Sequence, residues 1–181
     1  MLEKKIVIIG GSIAGCAIGV LLQKLGLNFT ILEKSSGKIM EGSGITLPDD
    51  IIKQCIELDL FDENIPRLPV KRRTFLRKEN EVSKEFWTQP MDAFALNWAN
   101  IYINLRKRVE QKHYCTNTEV ISINEINNIY HIETSKGIYQ ANLIIAADGI
   151  NSIVRSQLLS CAPPKYTGYV AWRGVIDESN I

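Results

Sequence analysis

Three short groups of residues could do chemistry by their type and spacing. The first is Gly10-Gly11-Ser12-Ile13-Ala14-Gly15, directly after the apolar run Ile6-Val7-Ile8-Ile9. Glycines between a buried strand and a buried helix free the backbone amides at the helix start to face an anion, and a pyrophosphate suits such a site. The second is Glu33, which closes the next apolar run, Asn28 to Leu32. A carboxylate at the end of a second strand, roughly 20 residues past the glycines, is placed to grip the hydroxyls of an adenosine ribose. The third is Asp148-Gly149, which ends the run Leu143-Ile144-Ile145-Ala146-Ala147. An acid and a glycine at the carboxyl end of a parallel strand fall where open α/β sheets hold their ligands.

Each group also has a plainer reading. The dinucleotide fingerprint is Gly-x-Gly-x-x-Gly, and Ser12 stands in place of its second glycine. Glycines there can serve the turn alone, Glu33 can be a surface acid, and Asp148 can cap the following helix with Gly149 in a turn. Strand, glycine turn, buried helix, strand and acid in that order favour the nucleotide site.

The elements that must position these groups follow from periodicity. Ile6 to Ile9 does not alternate, as expected for a strand buried on both faces of a parallel sheet, and Ile13 to Leu25 is apolar on nearly every side. Lys24 and Gly26 supply a cation in the last helical turn and a glycine just beyond it. The stretch from Lys34 to Pro48, with Gly37, Gly42 and Gly44, reads as a loop. Asp49 and Asp50 then open a helix carrying Ile51, Ile52, Cys55, Ile56 and Leu58, which should end near Leu60. From Val70 the charged, alternating pattern, Thr74-Phe75-Leu76-Arg77, then Lys78-Glu79-Asn80-Glu81, then Val82, predicts a hairpin with one wet face, and Pro90 should interrupt whatever follows. Asn97 is placed to cap an amphipathic helix with the stripe Trp98, Ile101, Tyr102, Leu105 and Val109. Glu119 to Ile126, Ile129 to Thr134 and Ile138 to Gln140 form a predicted antiparallel meander, turning at Asn127-Asn128 and Lys136-Gly137. The run ending at Ala147 suits a return into the parallel sheet, followed by a short helix near Arg155.

Composition narrows the classes of function. A chain of 181 residues, 45% hydrophobic, is long enough for a sizeable core. With 21 basic and 20 acidic side chains, its charge indicates neither a nucleic-acid nor a membrane-surface partner, and Lys71-Arg72-Arg73 reads as a solvated face of the hairpin. Cys16, Cys55, Cys115 and Cys161 are far apart and suggest neither a zinc site nor a redox pair. No membrane span and no signal-like leader precede the fold, so the expected compartment is cytoplasmic. His113 and His131 have no nucleophile paired to them by any motif, so a hydrolytic triad has no support and no residue takes a catalytic label.

Together, Ile6 through Gly15, Glu33, Ala147-Asp148-Gly149-Ile150-Asn151-Ser152-Ile153-Val154-Arg155 and Tyr166 through Gly174 resemble the FAD-dependent aromatic hydroxylases of the para-hydroxybenzoate hydroxylase type. The block from Ala147 to Arg155 is the most specific part, and the resemblance covers essentially the whole chain. It implies an α/β fold: a Rossmann-like FAD-binding parallel sheet with an antiparallel β-meander and part of a β-rich substrate domain. Residues 70–95 and 165–181 would belong to the substrate domain. Gly10, Ser12, Ile13, Ala14 and Gly15 would cradle the FAD pyrophosphate, and Glu33, with Lys34 beside it, would hold the adenosine ribose. Asp148 and Gly149 would belong to the stretch that helps bind FAD and has been linked to the nicotinamide cofactor. Arg155 would support that stretch or meet a phosphate, with a surface ion pair as the alternative. Tyr169 and Arg173 are candidates for the pocket wall, with packing or surface as the plainer reading.

The implied activity is a flavoprotein monooxygenase that uses NAD(P)H and O2 to hydroxylate an electron-rich small aromatic molecule. Ser12 departs from the family pattern, and so does Trp98, which stands where many members begin a helix with an FAD-contacting arginine. The family also continues to a Gly-Asp motif that grips the flavin's ribityl chain, whereas this chain ends at Ile181, so it is expected to be an N-terminal portion. The alternatives are a non-catalytic FAD-binding remnant or interaction module, and a flavin-dependent reductase. A halogenase is disfavoured because the Trp-x-Trp-x-Ile-Pro stretch of that family is missing.

Overall fold

The computed structural model describes residues 4–37, 44–159, 163–170 and 179. Arg173, Cys161 and most of the expected substrate-domain segment 165–181 lie outside these residues. The chain forms two compact units, divided near residues 40 and 105.

The first unit is built on a parallel sheet. Strand β1 (Ile6–Ile9) leads through the glycine turn into helix α1 (Ile13–Lys24) and then β2 (Phe29–Leu32). The sheet order is β10-β1-β2-β6, where β6 is Tyr114–Cys115 and β10 is Leu143–Ala146. Strand β6 has only two residues, paired with Ile31 and Leu32, and no pattern of its own announces it. Its partner defines it.

Alternate residues of β1 and β2 face opposite layers. Val7, Ile9 and Leu32 pack with Ile123, Ile132, Ala141 and Val154 in one core cluster. These partners come from β7 (Val120–Ile126), β8 (Ile129–Thr134), β9 (Gly137–Ala141) and helix α4 (Ile153–Leu158). Phe29 and Ile31 meet α1 at Gly19, where a side chain would crowd both. The sheet is thus covered by α1 on one face and by the meander on the other, which is why β1 reads as an unbroken apolar run. The meander turns at Asn127-Asn128, both with positive φ, as a two-residue hairpin loop requires. Its second turn falls at Ser135-Lys136 rather than at Lys136-Gly137, because Gly137 already pairs with Thr134 and the Thr134 hydroxyl closes the loop by accepting from the Lys136 amide.

Strand β10 pairs with β1 as expected, but it is the sheet's edge, and Leu143 and Ala146 are exposed. Helix α4 is capped by Ser152 Oγ, which accepts from the Arg155 amide at 3.0 Å, and Gln157 ties it to β7 by accepting from the Ile123 amide at 2.7 Å.

The second unit is an antiparallel sheet, order β3-β5-β4, made of β3 (Gly44–Pro48), β4 (Arg67–Glu79) and β5 (Val82–Asn97), with helix α2 (Asp49–Glu57) and the start of α3 (Trp98–Arg106). Residues 44–48, read from sequence as loop, are a strand because they pair with β5 from Ala93 to Asn97. Pro90 does not end β5. It sits beside an irregularity between Val70 and Arg72 where the ladder is already broken, so its missing N–H costs little. The hairpin turns at Asn80-Glu81, again with positive φ at both residues. Among the described residues its outer half is wet on both faces, with Leu76, Phe86 and Trp87 at least half exposed. Phe75 gathers Phe86 and Trp87 at 6.3 and 4.7 Å, and this aromatic cluster holds together a ribbon that has no second layer among the described residues. Asn97 caps α3, its Oδ1 accepting from the Ala99 amide at 2.8 Å, and Trp98 stacks on Tyr102.

Ile31 is fully buried at the centre of the parallel sheet. Ile31→Ala is expected to cost about 2–5 kcal/mol, read as a lower urea midpoint with little change in slope.

Candidate functional site

The strand order makes the site. The chain leaves β1 towards β2 and β6 on one side and comes back to β10 on the other, so the order reverses between β1 and β10. Ligands of open α/β sheets bind in the crevice beyond the carboxyl ends of the strands at such a point. A cavity of about 540 Å³ lies there, lined by Ile9, Gly10 and Ser12 from β1 and its turn, Leu32 to Lys34 beyond β2, and Ala147 to Gly149 beyond β10. Thr118, Glu119 and Val120, together with Asn151, Ile153 and Ser156, complete the wall.

The turn fits only without side chains. Gly10 has φ +101°, and a Cβ there would lie 2.3 Å from the Ala147 carbonyl oxygen; one on Gly15 would lie 1.9 Å from the Gly10 carbonyl oxygen. Ser12 occupies the N-cap position of α1, yet its side chain makes no capping bond. Its hydroxyl thus makes no bond to the helix start, its amide donates to no backbone group among the described residues, and the residue lines the cavity.

Glu33 is fixed by the backbone around it. Oε2 accepts from the Gly11 amide at 2.7 Å and Oε1 from the Ser35 amide at 2.8 Å. The Glu33 amide donates to the Cys115 carbonyl and the Thr118 amide to the Glu33 carbonyl, which brings residues 118–120 alongside the acid. Asp148 caps α4 as the plainer reading has it, Oδ2 accepting from the Ile153 and Val154 amides at 2.7 and 3.3 Å, and it also lines the cavity. Arg155 donates to the Ile150 carbonyl and so braces the loop between Asp148 and α4.

Of the residues singled out from sequence, Gly10, Ser12, Glu33, Lys34, Asp148 and Gly149 share one cavity wall. Ile13, Ala14 and Gly15 form the first turn of α1, and Arg155 stands on α4 outside the lining. Tyr169 is exposed at 76% and lines no part of this cavity. His113 stacks on Phe29, its Nδ1 at 2.8 Å from the Phe29 carbonyl, a packing role away from the cavity. Thr118, Glu119 and Val120 were missed. The strand that places them, β6, has no pattern of its own, so the sequence offered no signal for them. Among the described residues no group of His, Cys, Asp and Glu could hold a metal, and no helix is long and apolar enough to cross a membrane.

No family model matches the chain. It is 26% identical over 98% of its length to a 2,6-dihydroxypyridine 3-monooxygenase of Paenarthrobacter nicotinovorans, spanning 44% of that protein. It is 24% identical over 96% of its length to a 6-hydroxynicotinate 3-monooxygenase of Bordetella bronchiseptica, spanning 48% of it. The solved 2,6-dihydroxypyridine-3-hydroxylase of Arthrobacter nicotinovorans superposes with a TM-score of 0.78 over 92% of this chain and 42% of that one, at 23% identity, and shares the fold. The relatives are monooxygenases, several of them FAD-dependent by name, as the sequence motifs suggested, and the chain spans less than half the length of those it matches.

One group at the start of α1 carries a pH dependence. Cys16 is fully buried, with its Sγ 3.1 Å from the Gly11 carbonyl. Burial pushes its thiol from 9.0 up to about 12; the nearby Arg106 charge and the Tyr114 hydroxyl oppose this, and the Glu33 charge adds to it. The protonated thiol is favoured in the folded chain, so this contribution is complete below about pH 9 and is lost as pH rises towards 12, by at most about 1.4 kcal/mol per pH unit. Urea unfolding of wild type and Cys16→Ala across that window is expected to show the shallower decline in the variant.

Proposed function

We propose that this chain is the FAD-binding portion of a flavoprotein monooxygenase that uses NAD(P)H and O2 to hydroxylate a small aromatic molecule. The observation that carries the reading is the cavity at the β1/β10 reversal, which has an anion-facing turn at one part of its wall and a fixed carboxylate, Glu33, at another. The residues fit FAD. The turn has no room for a Cβ at Gly10 or Gly15, and Ser12 keeps its amide and hydroxyl free of capping bonds. In this reading residues 10–15 hold the pyrophosphate, Glu33 and Lys34 hold the ribose, and Thr118 to Val120 wall the adenosine.

When bound, FAD carries the electron transfer and the oxygen chemistry. The chain's own residues bind and orient it. Asp148 and Arg155 keep the loop beside the turn in place, one by capping α4 and the other by holding the Ile150 carbonyl. An aromatic ring as substrate is supported by the relatives, whose names specify a dihydroxypyridine and a hydroxynicotinate. A cytoplasmic setting belongs to the same reading.

The test is direct. The purified chain, mixed with FAD and passed through gel filtration, is expected to emerge yellow at near one flavin per chain, to bleach with NAD(P)H and to consume oxygen when given substrate. Glu33→Ala is expected to weaken FAD binding by about tenfold or more, as loss of a charged hydrogen-bond acceptor should. A colourless protein would overturn the proposal. Bound flavin without NAD(P)H-dependent oxygen uptake would leave an FAD-binding module and remove the oxygenase.

A further inference from the structure

The glycine turn is held from behind the cavity, and we propose that Tyr114 holds it, as a positioning residue that aims the Ser12 amide at the bound dinucleotide while lying outside the cavity wall. The inference rests on the FAD reading above.

Tyr114 lies in β6 and is buried at 3% exposure. Its hydroxyl donates to the Gly11 carbonyl at 2.7 Å, across 103 residues of sequence. The same carbonyl accepts from Cys16 Sγ, while the Gly11 amide donates to Glu33 Oε2. The peptides on both sides of Gly11 are therefore fixed. The Gly11–Ser12 peptide is planar and trans, so its carbonyl and the Ser12 N–H point in opposite directions. Drawing the carbonyl towards Tyr114 and Cys16 turns the Ser12 N–H away from them. That N–H donates to no group among the described residues, and Ser12 lines the cavity.

Two further features mark this as a built arrangement. A Cβ on Gly11 would lie 2.4 Å from the Tyr114 hydroxyl oxygen, so the missing side chain at one position is the space occupied by the other. The Arg106 guanidinium lies 4.0 Å from the Tyr114 ring centre and is itself held by the Val109 carbonyl at 3.0 Å and by Gln111 Oε1. A cation over the ring fixes its plane and makes its hydroxyl a better donor.

Tyr114→Phe keeps the ring and removes the hydroxyl that donates to Gly11. Its Kd for FAD, measured by flavin fluorescence well below the melting temperature, is expected to rise about fivefold to tenfold, the effect of losing one ordinary hydrogen bond. In the FAD-free chain its Ser12 amide resonance is expected to shift, while amides of the meander stay in place. Ile132→Val, a trim in the meander core, serves as a control for lost stability and should leave both readouts unchanged. Wild-type affinity in Tyr114→Phe, or an unmoved Ser12 amide, would overturn this inference and leave the FAD reading standing. A wild-type chain that binds no FAD would overturn both.

Discussion

The architecture of the first unit depends on a contact with no side chain in it. Gly10 meets the Ala147 carbonyl so closely that a Cβ would fall 2.3 Å from the oxygen, and α1 starts so near the same turn that one on Gly15 would be closer still. Strand β1 is drawn into this approach by its neighbours, with the Gly10 amide bonded to Leu32 on one side and the Ala147 amide bonded to Ile9 on the other. The approach brings the end of β10, and with it Asp148 and Gly149, beside the start of α1. Any side chain at Gly10 would press on the Ala147 carbonyl and separate the two strand ends.

Local pattern explains why much of this could be read from sequence. Parallel strands covered on both faces have no polar side to reveal, so Ile6 to Ile9 stands out as an unbroken apolar run and Phe29 to Leu32 as one interrupted only by Thr30. The Asn127-Asn128 turn and the Asn97 cap are likewise local, since each depends on residues within a few positions. What escaped is non-local. Residues 44–48 and 114–115 are strands because distant partners pair with them, and Pro90 is accommodated by a ladder break whose other side lies some twenty residues earlier in the chain. Tyr114 has no chemical signature in its own segment; its importance comes from a carbonyl 103 residues away.

The two units differ in how their apolar residues are used. In the first, alternate residues of the sheet enter two covering layers, and even the buried Thr118 and Thr134 have hydrogen-bond partners. In the second, the outer half of the β4–β5 ribbon places Phe75, Phe86 and Trp87 against one another, with Arg77 over the Phe86 ring. A two-stranded ribbon cannot bury both faces by itself. Alternation along the ribbon therefore predicted strands correctly, but it gave no information about which face would be covered.

The two acids that line the cavity show that a structural role leaves acceptor capacity unused. Asp148 uses Oδ2 alone for the two amides of α4, and Oδ1 accepts from no group among the described residues. Glu33 takes one amide on each oxygen, which leaves each with a further lone pair. In both residues the backbone bonds fix the carboxylate's orientation before any ligand arrives, so a hydroxyl donor would meet an acceptor whose rotamer entropy has already been lost in folding. A helix-capping aspartate is therefore weak evidence against a site. The geometry that caps the helix is also what holds the second oxygen still.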